Sequence, residues 1–395
     1  MNHKYRSLPA ARAAGAALAL CIAAVAHAGP AERAQAKRIH DRIAGVPPTA
    51  QMLDQMEQDL LAQPGRAGAV AAARRAMESK TFYTTVLKNW VTPWTNREQT
   101  VFAPLNDYTA TVIGMVRDDV DFRQVLSGDI LYVGGAGLPT YSPVNNNLYE
   151  QMEDTDADLS NPQVLVAATQ SAHTGLPASA TAGVMTTRAA AQSFFVAGTN
   201  RAMFRFTLMA HMCKDLEQVH DAQLPPDRIR QDVSRSPGGD SRIFLNNCIG
   251  CHTGMDPLTQ AFAYYNFNDS TGRIEYTEGQ VQPKYLINQD NFKPGYVTPD
   301  DGWSNYWRQG VNTVLGWDPG LPGSGNGAKT MGQELAGSEQ FARCQVEKVF
   351  RTICLRPPVN QGDRNEVERV MGIFRGNGYR VKDVFAETAA YCRGN

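Results

Sequence analysis

Two cysteines three residues apart, with a histidine directly after the second, stand in the stretch NNCIGCHTGMDPL as Cys248, Cys251 and His252. Two such thiols can add to the vinyl groups of a haem, and the following imidazole can coordinate its iron. A C-x-x-C turn that opens a helix brings all three side chains to one face of the porphyrin. The spacing therefore predicts one covalently bound haem c, attached through Cys248 and Cys251 and ligated on the proximal side by His252.

Other chemistries also use a C-x-x-C pair. A structural zinc site needs a second pair of ligands, and neither another C-x-x-C nor an H-x-x-x-H occurs in the chain. A thioredoxin-like dithiol belongs at a strand–helix junction within a βαβ pattern, which the neighbouring sequence lacks. Haem attachment is thus favoured, and zinc, a redox dithiol and purely structural cysteines remain as alternatives.

The sixth ligand of the iron is less well defined. Met331 follows the flexible segment DPGLPGSGNGAKT and precedes a long helix, which is where small c-type cytochromes carry their distal methionine. Met331 is therefore the candidate distal ligand, with His211, His220 or an open iron as alternatives. Met255 lies on the same helical turn as His252 and cannot reach across the porphyrin.

The second ring nitrogen of His252 also needs an acceptor, which fixes the tautomer and the orientation of the ring. The segment MDPL reads as a sharp turn, so we expect the backbone carbonyl of Asp256 or Pro257 to serve. Aromatic residues downstream, among them Trp303 and Trp307, are candidates for the walls of a haem pocket. Dry aromatic walls and a thioether ligand would together give a moderately high reduction potential.

The first 28 residues have the pattern of a secretory signal peptide. Basic residues Lys4, Arg6 and Arg12 flank an apolar run, AAGAALALCIAAVA, and Ala-His-Ala precedes Gly29. The run is short for a membrane span. We expect cleavage before Gly29 and a periplasmic or secreted protein without an integral membrane segment, with an uncleaved N-terminal anchor as the alternative.

Export changes what the remaining cysteines predict. Four are left beside the C-x-x-C pair, namely Cys213, Cys344, Cys354 and Cys392, and an even number in an oxidising compartment indicates two disulfides. Cys344 and Cys354 lie ten residues apart on one predicted helix, about 15 Å by helical rise, so they cannot pair with each other. We favour Cys213–Cys344 and Cys354–Cys392 over the other connectivity.

The charge of the chain argues against one class of partner. Lys and Arg number 38 and Asp and Glu 39, for a formal net charge of −1, and the two signs are mixed along the sequence. No basic stripe is present that would track a phosphate backbone. Nucleic acid is therefore not expected as a partner.

The elements that must hold the motif are mostly helical. Apolar residues recur at helical spacing through most of the chain, whereas residues 138–182 are punctuated by Gly, Pro, Asn and Ser and predict a long surface loop. We expect a mainly α protein: a helical N-terminal domain over 29–135, a loop-rich connecting region over 136–235 with a helix near 199–217, and a cytochrome c-like helical haem domain over 236–395. A small β-hairpin insertion follows the motif.

The haem segment resembles that of the planctomycete- and myxobacterial-type cytochrome c modules, in which C-x-x-C-H is followed by D-P-L-G, an apolar run, F-D and a later Gly and Arg. The matching residues are Cys248, Cys251, His252, Asp256, Pro257, Leu258, Phe267, Gly272 and Arg273. Thr259 and Asn268 replace the Gly and Asp of that pattern. The flanking sequence resembles other modules of the same proteins more loosely.

The resemblance implies an exported mono-haem cytochrome that transfers single electrons to and from redox partner proteins. It names no substrate. The alternative is a haem enzyme of peroxidase or oxygenase type with an open distal site, which the large amount of polypeptide around one haem motif favours. An electron carrier is preferred because a single-haem catalyst would need another electron source, for which the sequence shows no site.

Overall fold

A computed structural model describes residues 1, 30–196, 198–286 and 293–394, and the protein is mainly helical, with 56% helix and few short strands. The mainly α prediction is confirmed. Residues 2–29, which include the predicted signal peptide and its cleavage site, lie outside the described part of the chain. The helices are α1 Pro30–Ala44, α2 Ala50–Ala62, α3 Arg66–Ala76, α4 Lys88–Val91, α5 Asp107–Arg117, α6 Asn147–Asp154, α7 Gln170–Thr174, α8 Arg188–Phe194, α9 Arg201–Thr207, α10 Ser241–Ile243, α11 Ile249–Thr259, α12 Gly327–Ala336, α13 Glu339–Cys354, α14 Gln361–Gly376 and α15 Val381–Cys392.

Local sequence explains where the first helices begin and end. Gly45 follows α1 at a φ of 71°, and two prolines after it prevent the helix from continuing. Thr49 then caps α2 by accepting a hydrogen bond from the backbone N–H of Met52. Small residues line the buried face of α3, which lets α2 and α15 pack closely against it.

A continuous hydrophobic core joins the two ends of the chain. It extends from Ala36 to Ala390, and within it α15 packs on α3 while α13 and α15 also contact α1. This core crosses the boundaries predicted near residues 135 and 235. The segment with Cys248, Cys251 and His252 is thus held by a scaffold that includes the N-terminal helices.

Three antiparallel strand pairs accompany the helices. The strands are β1 Leu131–Gly134, β2 Leu165–Ala168, β3 Tyr265–Asn268, β4 Arg273–Tyr276, β5 Gly302–Ser304 and β6 Ser324–Asn326, and they pair as β1–β2, β3–β4 and β5–β6. The β3–β4 pair is a hairpin shortly after the motif helix, and it begins earlier than the predicted insertion, which starts at Gly272. Phe267 opposes Ile274 in its register, and both side chains are buried.

The long surface loop predicted over residues 138–182 is only partly correct. Much of the segment is exposed, but it contains α6, β2 and α7, and Leu148, Tyr149, Met152 and Leu165 are buried in the core. Composition predicts the exposed turns, but it does not show that the few apolar residues between them anchor the segment in the core.

Two disulfides connect distant parts of the fold. Cys213 pairs with Cys344 and Cys354 pairs with Cys392, at Cα separations of 5.3 and 5.5 Å. This is the favoured connectivity, and it is confirmed. The second bond ties the end of α13 to the end of α15. Among the described residues, no helix has the length and apolar character needed to cross a membrane.

Candidate functional site

The motif residues lie where a π-helical turn passes into α11. The π turn covers Phe244–Cys248 and continues from α10, whose N-terminus is capped by the Asp240 side chain. Cys248 and Cys251 are half-buried free thiols, and His252 follows in the first turn of α11 with 20% of its side chain exposed. The helix therefore presents both thiols and the imidazole near the protein surface.

The His252 ring is held by a carboxylate. Its Nδ1 lies 3.1 Å from both carboxylate oxygens of Asp256, one helical turn further along α11. The predicted backbone carbonyl acceptor is wrong, because MDPL is not a turn: Asp256 and Pro257 are both inside α11. The proline costs the helix one backbone N–H without ending it, so the Asp256 side chain stays on the same face as His252.

Asp256 belongs to a buried charge network. Its carboxylate is fully buried and receives two hydrogen bonds from Arg201, at 2.7 and 3.0 Å. The same guanidinium binds both oxygens of Asp232 at 2.7 and 3.0 Å. Arg201 is the first residue of α9, and Asp232 lies in the loop after it. The network therefore fixes the position of the proximal carboxylate from two other parts of the chain.

The same network sets the ionisation of Asp256. Burial alone would raise the pKa of this carboxyl, but the charge of Arg201 and the hydrogen bond to His252 hold the pKa well below its ordinary value. Asp256 is therefore an anion and accepts a hydrogen bond from His252 Nδ1–H. That assignment leaves the Nε2 of His252 as a lone-pair donor toward a metal.

Apolar residues surround the first thiol. Cys248 and Ile249 pack against a small cluster formed by Ile229, Val233 and Phe244, which is separate from the main core. The three residues are at most 8% exposed, so they pack behind the thiol and form no open surface beside it. The two unpaired thiols and the oriented imidazole fit the donor set that an attached haem requires.

The second thiol is not tuned as a reactive thiolate. Burial raises the pKa of Cys251, and the carboxylates of Glu217 and Asp215 raise it further. The Sγ of Cys251 lies 3.7 Å from the carbonyl oxygen of Leu216. Redox-active dithiols normally have a lowered thiol pKa, so the surroundings of Cys251 do not favour that alternative. In the described ranges, no group of three or more His, Cys, Asp and Glu side chains is arranged to hold a metal ion.

The structure does not bring Met331 to the motif surface. Met331 is fully buried in the main core on α12, which packs against residues 122–126 and the turn after α11. His211 is also fully buried, with its Nε2 2.8 Å from the Tyr108 hydroxyl. His220 is exposed, and its ring lies against the backbone of Gly250 in the motif. Of these three, only His220 is beside the C-x-x-C turn.

Trp307, a candidate wall residue, is fully buried and lies against Gly254. Gly254 and His252 are two residues apart on α11, so they face nearly opposite sides of the helix. Trp307 therefore supports the back of α11, away from His252.

Sequence reasoning missed Arg201 and Asp232, which local patterns could not reveal because they lie on other elements. It could have found the Asp256 carboxylate, because His252 and Asp256 have the i, i+4 spacing that puts two side chains on one helical face. Comparison with known protein families, curated proteins and solved structures found no match for this chain.

Proposed function

We propose that the chain is an exported mono-haem c-type cytochrome, similar to the planctomycete- and myxobacterial-type modules, that transfers single electrons between redox partner proteins. One observation carries the proposal. Six cysteines lie in the described residues, four of them form disulfides, and the two left free are Cys248 and Cys251, directly before an oriented His252. In an oxidising compartment, two adjacent free thiols are most simply explained by covalent use.

Each residue at the motif would have its own role toward the haem. Cys248 and Cys251 would hold the haem through thioether bonds, and His252 would ligate its iron through Nε2. The bound group would supply a ferric/ferrous couple. Asp256 holds the His252 ring in one tautomer, and Arg201 keeps Asp256 charged and in place. The cluster of Ile229, Val233 and Phe244 excludes water from the side of Cys248.

A second candidate is a haem enzyme of peroxidase or oxygenase type. Two observations favour it: a carboxylate holds the proximal imidazole, and Met331 is enclosed in the core on another element. An imidazole that donates to a carboxylate becomes a stronger electron donor and stabilises the oxidised iron. Without a distal methionine, the sixth position would be open to a small ligand.

Production of the protein in a host with a cytochrome c maturation system tests the proposal. The mature protein should carry the mass of one haem under denaturing conditions, and the double variant Cys248→Ala/Cys251→Ala should carry none. A Cys354→Ser/Cys392→Ser variant is the matched control, because it removes two cysteines but should keep the haem. A colourless mature protein at its apo mass would refute covalent haem attachment.

Carbon monoxide then separates the two candidates. A low-spin ferric spectrum and no uptake of carbon monoxide by the reduced protein would indicate a sixth protein ligand and electron transfer. A high-spin haem that binds carbon monoxide would indicate the enzyme. Met331→Ala should convert the first spectrum into the second if Met331 is the distal ligand, and an unchanged spectrum would exclude it.

A further inference from the structure

A cavity lies beside the Cys213–Cys344 disulfide, away from Cys248, Cys251 and His252. Its volume is about 440 Å³, and none of the three motif residues lines it. Trp94, Phe206 and Met209 form an apolar wall, and Lys214 and Arg351 contribute cationic groups. A cavity with an apolar wall and a few polar groups is the usual form of a small-molecule site.

Lys348, on α13, lines this cavity, and two neighbours hold its side chain in place. Its Nζ donates a hydrogen bond to the carbonyl oxygen of Ala210 at 2.6 Å and lies 3.3 Å from the centre of the Trp94 ring. The Ala210 oxygen and the π face of Trp94 therefore hold the amine at the cavity wall from two sides.

The charges around Lys348 do not hold it as an ammonium ion. Among the described residues, no carboxylate forms an ion pair with it, because Asp215 at the same cavity is bound to Arg205, and Glu347 lies next to Lys348 in sequence without pairing with it. The nearby Lys214, Arg351 and buried His211 offer no negative charge. Burial lowers the pKa of Lys348 well below its ordinary value, whereas the ring of Trp94 acts in the opposite sense.

We propose that Lys348 is a nucleophilic amine that binds a small aldehyde or ketone in this cavity as an imine. The lone pair of Nζ attacks the carbonyl carbon, and a proton moves from nitrogen to oxygen to give a carbinolamine. Loss of the hydroxyl group as water then leaves a C=N bond to Lys348, with no change in oxidation state. Trp94 and Phe206 favour a carbonyl compound with an aromatic or aliphatic group, because that group would contact their rings.

Reductive trapping with benzaldehyde tests the site on the full-length mature protein. Benzaldehyde and sodium cyanoborohydride at pH 7 convert any imine to a stable benzylamine, which peptide mass spectrometry locates. Lys348 should be modified at least about tenfold faster than the exposed Lys37, because each unit by which an amine pKa falls raises its neutral fraction about tenfold. Modification of Lys348 no faster than Lys37 would overturn the proposal.

Lys284 is the matched internal control. Lys284 and Lys348 are both half-buried. The Nζ of Lys284 donates a hydrogen bond to the carbonyl oxygen of Phe195 at 2.7 Å, and burial lowers the pKa of Lys284 to about 8. It does not line this cavity. Lys348 should therefore react faster than Lys284, and equal rates would show that a lowered pKa alone, without a binding site, accounts for the labelling.

Two variants complete the experiment. Lys348→Arg should abolish the fast modification, whereas Lys284→Arg, outside the cavity lining, should leave the rate at Lys348 within about twofold. Thermal melting checks that both variants fold. If Lys348→Arg does not fold, the rates at Lys348, Lys37 and Lys284 in the parent protein still test the proposal. Fast modification that persists in Lys348→Arg would also overturn the proposal.

Discussion

At the scale of single residues, the contact between His252 and Asp256 changes the reduction potential that we expect for the proposed haem. Aromatic walls and a methionine ligand predict a moderately high reduction potential, but neither Trp307 nor Met331 lies at the motif surface. An anionic acceptor on His252 Nδ1 acts in the opposite direction. We therefore expect the proposed haem to have a lower potential than the sequence suggests.

Replacement of Asp256 by Asn should raise the reduction potential of the haem-loaded protein. The neutral amide accepts a weaker hydrogen bond, so the imidazole donates less electron density to ferric iron. We expect a rise of about 60 mV or more, which is about tenfold in the equilibrium constant of a one-electron couple. Spectroelectrochemical titration measures it.

Asp232→Asn is the control for that experiment. It removes the other carboxylate on Arg201 but leaves the hydrogen bond between His252 and Asp256 in place. The reduction potential of Asp232→Asn should shift much less than that of Asp256→Asn. Equal shifts in the two variants would mean that the net charge near Arg201, rather than the contact with His252, sets the potential.

His211 should make stability depend on pH. Burial lowers its pKa well below the ordinary value. The folded protein keeps His211 neutral, whereas the unfolded chain takes up a proton below about pH 6.5. The stability linked to His211 is therefore fully present above that pH and is lost as the pH falls.

His211→Gln removes this titration and should flatten the pH dependence. Between pH 6 and pH 5, the free energy of unfolding of the parent should fall by up to about 1.4 kcal/mol more than that of the variant. Urea unfolding at pH 5, 6 and 7 provides the values. His40, whose pKa burial also lowers, remains in both proteins, and identical slopes would show that His211 does not contribute.

At the scale of elements, α11 must satisfy packing on two sides while it carries the motif. Gly250 lies against the exposed ring of His220, and Gly254 lies against the fully buried ring of Trp307. The backbone N–H of Asp221 also donates to the carbonyl of Gly250 at 2.9 Å. The back of the helix is thus fixed by neighbours that approach its backbone closely.

The two glycines should respond differently to alanine. A Cβ at Gly254 would lie 1.9 Å from Trp307 Nε1, and Trp307 has no room to move, so Gly254→Ala should destabilise the protein by about 1–3 kcal/mol. The three atoms nearest to a Cβ at Gly250 all belong to His220, whose exposed ring can turn away. Gly250→Ala should change stability by less than about 1 kcal/mol, and guanidinium unfolding of both variants compares them. A larger loss in Gly250→Ala would contradict this account of the packing.

At the scale of the whole molecule, the N-terminal helices and the last helices share one core. The α3 helix packs on α15, and α1 contacts α13 and α15. The C-x-x-C-H segment is connected to the same scaffold through the contact of α11 with α9, and Cys213, which follows α9, is bonded to Cys344 on α13. A segment of the chain that begins after residue 235 therefore lacks the partners of two of its helices.

Residues 236–394 expressed alone should not fold cooperatively. Loss of α1 and α3 exposes the apolar faces of α13 and α15, and the partner of Cys344 is also absent. Near-ultraviolet circular dichroism and thermal melting should show no cooperative transition, in contrast to the mature chain. A cooperative melt of the fragment would establish an independent domain there.

The sequence by itself determined the helical character, the motif with its possible chemistry, and the two disulfides, because helical periodicity and cysteine parity are readable without knowledge of the fold. Only the tertiary structure decided what surrounds the motif. Arg201, which is also paired with Asp232, reaches Asp256 from another element, and Met331 is enclosed elsewhere in the core. Within residues 138–182, a few apolar side chains such as Leu148 and Met152 are buried between exposed turns. Local spacing constrains side chains within one or two turns of a helix, whereas contacts between distant residues depend on how complete elements pack.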